Sequence, residues 1–147
     1  MRIKGTGKAE LLVGTSGADT IDGGAGNDVI IGGAGTDYLT GGRGADTFVF
    51  GAHSQYDIIT DFNPAEGDHI VFSSDLSATS ALSSATPLSS GELYDGASFS
   101  ACGGTCYVTC TDVNGDGVMD TQFSLNGDNL FVLGCMPTQL HSSDILG

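Results

Sequence analysis

The chain has 147 residues, 24 of them Gly, and its 18 Asp+Glu against 4 Lys+Arg give a formal net charge of −14. The four basic residues are Arg2, Lys4, Lys8 and Arg43, so no Lys or Arg follows position 43; nucleic acid and anionic bilayers are poor partners for such a surface. Fifteen of the acids are Asp, whose short side chain suits tight loops and hard-cation coordination better than helix faces, and the length fits one domain or two small ones.

The first stretch, MRIKGTGKAELLVG, has neither the apolar run nor the small-residue cleavage site of a secretory signal. Nowhere does an apolar run approach the roughly 18 residues of a membrane span, and no membrane insertion is expected. Residues 14–49 then fall into four gapless nine-residue rows: GTSGADTID, GGAGNDVII, GGAGTDYLT and GGRGADTFV. Gly holds the first and fourth positions of each row, Asp the sixth (Asp19, Asp28, Asp37, Asp46), and a large apolar residue the eighth (Ile21, Ile30, Leu39, Phe48). A degenerate row, GTGKAELLV at 5–13, precedes them, with Glu10 at the Asp position and Lys8 in place of the fourth-position Gly. Each row divides into a six-residue loop, in which Gly permits positive φ and inward-curled carbonyls, and a three-residue strand. Strands that short need stacked neighbours, and the stack must neutralise a ladder of carboxylates. Calcium suits this, accepting carbonyls and carboxylates together in flexible shells of about 6–8 oxygens.

The rows resemble the RTX (repeats-in-toxin, haemolysin-type) calcium-binding nonapeptide G-G-x-G-x-D-x-U-x. The resemblance implies a flattened parallel β-roll with two rows per turn, so that loops on one edge come from alternate rows. It implies one calcium shared between the loops of Asp19 and Asp37, another between those of Asp28 and Asp46, and a third between Glu10 and Asp28. The Gly pairs Gly24/Gly26, Gly33/Gly35 and Gly42/Gly44 belong to the implied ligand set.

Residues 47–73 alternate β-branched or aromatic runs with turn residues and predict strands near 47–50, 56–62 and 69–72. This segment is similar to the strands that follow RTX repeats, with Asp57-Ile58-Ile59-Thr60-Asp61-Phe62-Asn63-Pro64 and Gly67-Asp68-His69-Ile70. Asp57 and Asp61 either close the last loop with a further cation or cap turns. Residues 73–100, rich in Ser, Ala and Thr, read either as a flexible insertion or as a loop with one strand near Leu93-Tyr94.

In TDVNGDGVMDTQFSL (111–125), Asp112, Asn114 and Asp116 stand at positions 1, 3 and 5 of a calcium-loop pattern. Gly117 is at 6, Val118 at the carbonyl position 7 and Asp120 at 9. Phe123 replaces the Glu of an EF-hand, and the alternating flanks predict a hairpin; it is either a calcium loop or a metal-free Asp/Asn/Gly turn. The four cysteines, Cys102, Cys106, Cys110 and Cys135, have no nearby His and no zinc spacing, which leaves disulfides of open pairing.

The expected fold is all-β: a short parallel β-roll over residues 1–50, followed by antiparallel strands over 51–147 that cap it. The cofactor is Ca²⁺, two or more ions in the roll and a candidate one in the 112–120 loop. No H-E-x-x-H or G-x-S-x-G motif is present, and the scattered His53, His69 and His141 form no catalytic set, so no enzyme is expected. The resemblance implies an extracellular or cell-surface protein, exported unfolded by a bacterial type I route and folded by calcium outside. Two functions compete. One is a structural or adhesive module that self-associates into a homo-oligomer, surface layer or filament, with surface polysaccharide as a further candidate partner. The other is a non-catalytic accessory repeat module of a larger secreted peptidase, lipase or alginate epimerase.

Overall fold

The structure, a computed structural model, describes residues 1–51, 53–73, 98–101, 104–134 and 145–146. Among these there is no helix. Strands β1 (Arg2–Lys4), β2 (Leu11–Val13), β3 (Thr20–Ala25), β4 (Val29–Ile31), β5 (Tyr38–Arg43), β6 (Thr47–Gly51), β7 (Tyr56–Ile59) and β8 (His69–Ser73) alternate between two sheets. Strands β9 (Ser98–Ala101), β10 (Gly104–Thr111), β11 (Asp120–Leu125), β12 (Asp128–Val132) and β13 (Ile145–Leu146) complete them.

The eight-stranded sheet has the order β1-β3-β5-β7-β12-β11-β10-β9 and the five-stranded sheet β13-β8-β6-β4-β2. Odd and even strands of the repeat region thus lie in opposite sheets, and the chain coils as a parallel β-roll with two rows per turn. Register follows the nine-residue period doubled: Ile21 pairs with Leu39 and Ile30 with Phe48. Each row alone has too few residues for a strand to persist; stacking supplies the missing ladder.

The eighth-position side chains meet inside. In one sheet the inward row runs Ile3, Ile21, Leu39 and Ile59, and in the other Leu12, Ile30, Phe48 and Ile70. All but Ile3 are buried, and each contributes roughly 1.5–3 kcal/mol by leaving water. Phe48 lies against Phe62 with ring centroids 6.1 Å apart.

The parallel stack continues past residue 50 through β7 and β8, which pair with β5 and β6. Strand β12 then adds to β7 in parallel, and β12-β11-β10-β9 follow as an antiparallel extension. Its inward residues Cys106, Val108, Phe123, Leu125, Leu130 and Val132 belong to the same core. A Phe72–Phe123 edge contact, 5.6 Å between centroids, joins the roll to the extension. Cys106 and Cys110 share one side of β10, with Cys106 buried. Cys102, Cys135 and the strand expected near Leu93-Tyr94 lie outside the described residues.

Candidate metal centre

The loops between strands gather on two edges of the roll. Residues 14–19, 32–37 and 53–55 lie on the way from the five-stranded to the eight-stranded sheet; residues 5–10, 26–28, 44–46 and 60–68 cross back. Each edge carries a ladder of acids bonded from row to row. On the second edge Asp28 Oδ1 accepts the Glu10 N–H at 2.8 Å, Asp46 Oδ1 that of Asp28 at 2.8 Å, and Asp68 Oδ1 that of Asp46 at 2.9 Å. On the first edge Asp37 accepts from Asp19 at 2.8 Å and Asp57 from Asp37 at 3.2 Å. The partners the sequence puts together are therefore adjacent: Asp19 with Asp37, Asp28 with Asp46, and Glu10 with Asp28.

One carboxylate oxygen is left over at each central rung. Oδ2 of Asp28, Asp37 and Asp46 is buried without a hydrogen-bond partner. An uncompensated buried carboxylate oxygen is costly, and the acids respond accordingly. Burial pushes Asp28, Asp37 and Asp46 up from the ordinary carboxylate value, with the neighbouring acid of the ladder adding to it. Asp57 is pushed up to about 8, by burial first and then by the Asp37 charge, and Asp68 to about 6, again mainly by burial. Asp19 is the exception. The Met1 ammonium lies 2.6 Å from its Oδ1 and holds its carboxyl below the usual range.

Backbone completes the surroundings. Gly24, Gly26, Gly33, Gly35, Gly42 and Gly44 all have positive φ. The constraint is sharpest at Gly42: φ is +98°, and a Cβ there would run into the Gly24 carbonyl oxygen of the loop above. Gly33 meets the Thr15 carbonyl in the same way. Successive loops thus lie against each other through carbonyl oxygens, with a partnerless carboxylate oxygen in each central loop. Among the described residues no three His, Cys, Asp or Glu side chains converge as a metal cluster, so any cation here must draw on carbonyls as well. An all-oxygen donor set with net negative charge fits calcium and does not fit a soft metal.

The remaining candidates stand apart from this arrangement. Asp61 accepts the N–H groups of Gly41 at 2.9 Å and Gly42 at 2.8 Å. In the β10–β11 hairpin, Asp112 accepts from Gly115 and Gly117, Asn114 from Asp116, and Asp116 from Val118. Asp120 is fully buried and accepts from Val113 at 2.9 Å and Gly134 at 2.6 Å, tying the hairpin to the end of β12. The hairpin loop is exposed, including Val118, and its carboxylates are satisfied within it.

Two residues escaped the sequence reading. Asp68 continues the ladder below Asp46, and its signal was present: Asp57-Ile58-Ile59 and Asp68-His69-Ile70 keep the Asp-x-apolar triplet of the rows while the loops before them lengthen. Asp128 had no such signal. It accepts the His53 and Gln55 N–H groups, both at 3.0 Å, from residues at φ of 72° and 56°, and so fixes β12 beside the roll.

Residues 5–48 match the model of the RTX calcium-binding nonapeptide repeat, in four copies. These residues are an RTX repeat array. No curated protein matches the chain in sequence. Among solved structures, the RTX array and its extension are similar to two subunits of the Azotobacter vinelandii mannuronan C5-epimerase. AlgE6R2 is 28% identical with a TM-score of 0.53, over 99% of this chain and 91% of that one. AlgE6R3 is 26% identical with a TM-score of 0.51, over 96% and 79%. Residues 5–48 thus form a calcium-binding RTX repeat array, and the chain as a whole is built as a β-roll similar to those two subunits.

Proposed function

We propose that this module is a non-catalytic accessory unit that acts outside the cell and is folded by calcium held between successive loops of each edge. The carboxylates of Asp19, Asp28, Asp37 and Asp46 and the carbonyls of the loops containing Gly24, Gly26, Gly33, Gly35, Gly42 and Gly44 serve as ligands. Glu10 supports the outermost site, and Asp57 and Asp68 extend the ladders below the array. The carrying observation is the buried, partnerless Oδ2 at Asp28, Asp37 and Asp46. A cation at those atoms removes both the desolvation cost and the repulsion along each ladder. The likeness over nearly the whole chain to subunits of a larger enzyme supports the accessory role.

Self-association into a layer or filament ranks second. The first turn of the roll bears Arg2 and Lys4 on edge strand β1 and Lys8 and Glu10 in its loop, and charged, short edges are the means by which sheets resist edge-to-edge pairing. Circular dichroism and sedimentation of the chain in EDTA and in excess calcium test the reading. A disordered chain that becomes a compact β-rich monomer on calcium supports it. A fold indifferent to calcium refutes it, and calcium-driven growth into large particles restores the assembly reading.

A further inference from the structure

We propose that residues 53–57 form one further loop of the calcium array, built without glycine and held in shape by Asp128 of β12, so that the C-terminal extension completes the last cation site on the first edge. The inference deepens the reading above, since it takes calcium as the ion that the roll holds, and it gives Asp128 a positioning role in that binding.

The rows of the array share a backbone signature. Positive φ recurs at two glycines with one residue between them, such as Gly33 and Gly35, and the acid follows two positions after the second, here Asp37. Residues 53–57 read His-Ser-Gln-Tyr-Asp, yet His53 and Gln55 have φ of 72° and 56°, and Asp57 again follows two positions later. The bonds to the loop above are also those of the rows. Asp57 Oδ1 accepts the Asp37 N–H at 3.2 Å, as Asp37 Oδ1 accepts that of Asp19 at 2.8 Å. The Ile58 N–H donates to the Asp37 carbonyl at 2.8 Å, as that of Tyr38 donates to Asp19 at 2.9 Å. The Gly35 N–H meets the His53 carbonyl at 3.4 Å, as the Gly26 N–H meets that of Arg43 at 2.8 Å.

Non-glycine residues seldom occupy the left-handed region, and two so close together call for a hold from outside the loop. Asp128 supplies it from 75 and 73 positions further along the chain: Oδ2 accepts the His53 N–H and Oδ1 that of Gln55, each at 3.0 Å. The Asn129 N–H adds a bond to the Gln55 carbonyl at 2.6 Å. Pairing β12 with β7 does not by itself require left-handed residues, because the two strands run in ordinary parallel register from Tyr56 and Asn129 onward. The cost of the turn is accounted for by what it presents to loop 32–37.

What it presents is oxygen. Asp37 is fully buried and spends Oδ1 on the Asp19 N–H, which leaves its Oδ2 without a partner. The Asp37 and Asp57 carboxyl groups lie within hydrogen-bonding reach of each other, and two ionised carboxylates have no proton to share. The buried Ser54 hydroxyl donates to the Gly33 carbonyl at 3.4 Å, a long bond that joins the two loops. Two carboxylates, a hydroxyl and a carbonyl are thus gathered from both loops as hard oxygen donors. They suit Ca²⁺, whose shell of about 6–8 oxygens backbone or water completes.

The test is the number and affinity of calcium ions bound by the full chain, by equilibrium dialysis and isothermal titration calorimetry. Asp57→Asn, which leaves Asp128 in place, should hold one ion fewer at a calcium concentration that saturates the parent. Asp128→Ala should weaken the same ion about 10–100-fold, as loss of an outer partner of a metal site does. Adding His53→Gly and Gln55→Gly to Asp128→Ala should restore that ion, because glycine takes up the left-handed turn unaided. A residue that merely anchored β12 could not be replaced by two glycines on the other side of the contact. The parental ion count in Asp57→Asn overturns the site, and parental affinity in Asp128→Ala overturns the positioning role. So does a defect in Asp128→Ala that the two glycines leave in place. Failure of the calcium reading itself is distinct: the parent then binds no calcium and folds equally in EDTA.

Discussion

The edge loops of the roll and the β10–β11 hairpin loop are both rich in Asp and Gly, and they treat their carboxylates in opposite ways. In the hairpin, Asp112, Asn114 and Asp116 accept N–H groups two to five residues away and remain exposed. In the roll Asp28, Asp37 and Asp46 each accept the N–H of a residue 18 positions earlier, are buried, and keep one oxygen without a partner. The hairpin loop meets its acceptors within its own turn, while the roll brings its carboxylates together only by stacking and leaves an oxygen of Asp28, Asp37 and Asp46 without a partner for the proposed cation. The same residue types therefore give local turn chemistry in one place and long-range ladders, on which the proposed metal dependence rests, in the other.

Chelation breaks this contrast most severely. Removing calcium should abolish most of the β signal of the roll, since an acid ladder without metal opposes its own folding. Amide exchange should show loops 14–46 losing protection first. Equal loss in the 112–120 loop would make both loops metal-dependent and end the distinction. Next come single carboxylates. Asp37→Ala or Asp28→Ala should raise the calcium midpoint of folding about tenfold or more, through loss of a charged ligand and of a buried row-to-row hydrogen bond of about 1–3 kcal/mol. Asp112→Ala should change it by less than a factor of about two, as exposed turn residues do. Calcium titrations followed by circular dichroism decide between them.

Glycines sharpen the comparison at a smaller scale. Gly42→Ala puts a Cβ into the Gly24 carbonyl at φ +98°, whereas Gly115→Ala, at φ +75°, meets nothing within 4 Å. The first should cost more than the roughly 1–2 kcal/mol of left-handed strain that the second carries alone. Urea denaturation in calcium measures both; equal costs would mean that the loops are not held in contact.

The smallest effect is that of pH. The carboxyls of Asp28, Asp37, Asp46, Asp57 and Asp68 are raised in the folded chain without metal, Asp57 to about 8 and Asp68 to about 6. Folding then takes up protons between the ordinary carboxylate value and about pH 8, so the stability of the metal-free chain is greatest below about pH 4 as far as these groups decide it. It falls as pH rises through that window. Asp19, lowered by the Met1 ammonium, works in the opposite sense. With calcium present the order reverses, because the metal competes with protons: the calcium midpoint should fall as pH rises from 6 to 8. A midpoint independent of pH would show that these acids are not the ligands.

Much of this was legible in the sequence because the nine-residue period writes both the strand spacing and the acid spacing into the chain. Four rows with Asp sixth and an apolar residue eighth specify short stacked strands and a ladder of acids; the two-row turn and the pairing of Asp19 with Asp37 are what the resemblance to the RTX nonapeptide implies. Legibility fails where the period fails. Asp57 and Asp68 hold ladder positions 20 and 22 residues after Asp37 and Asp46; Asp57 was legible only as a cation ligand or a turn cap, and the longer offset kept Asp68 out of the ligand set. Asp61 looks like a ligand in sequence, yet its oxygens meet the Gly41 and Gly42 N–H groups, which only the lengthened loop 61–68 makes possible.

What the sequence by itself determined is the part governed by local repetition: acidity, oxygen ligands at fixed intervals, and strands too short to exist unstacked. What only the tertiary structure decided is the part governed by contacts between distant segments. The addition of β12 to β7, the hold of Asp128 on His53 and Gln55, and the merging of Phe123 with Phe72 all join residues more than 50 positions apart. So does the alignment of Tyr38 and Tyr56 with Phe131 and Asn129 on one face. Strand alternation fixes which side of its own strand a residue takes, but which strands become neighbours depends on burying one shared core.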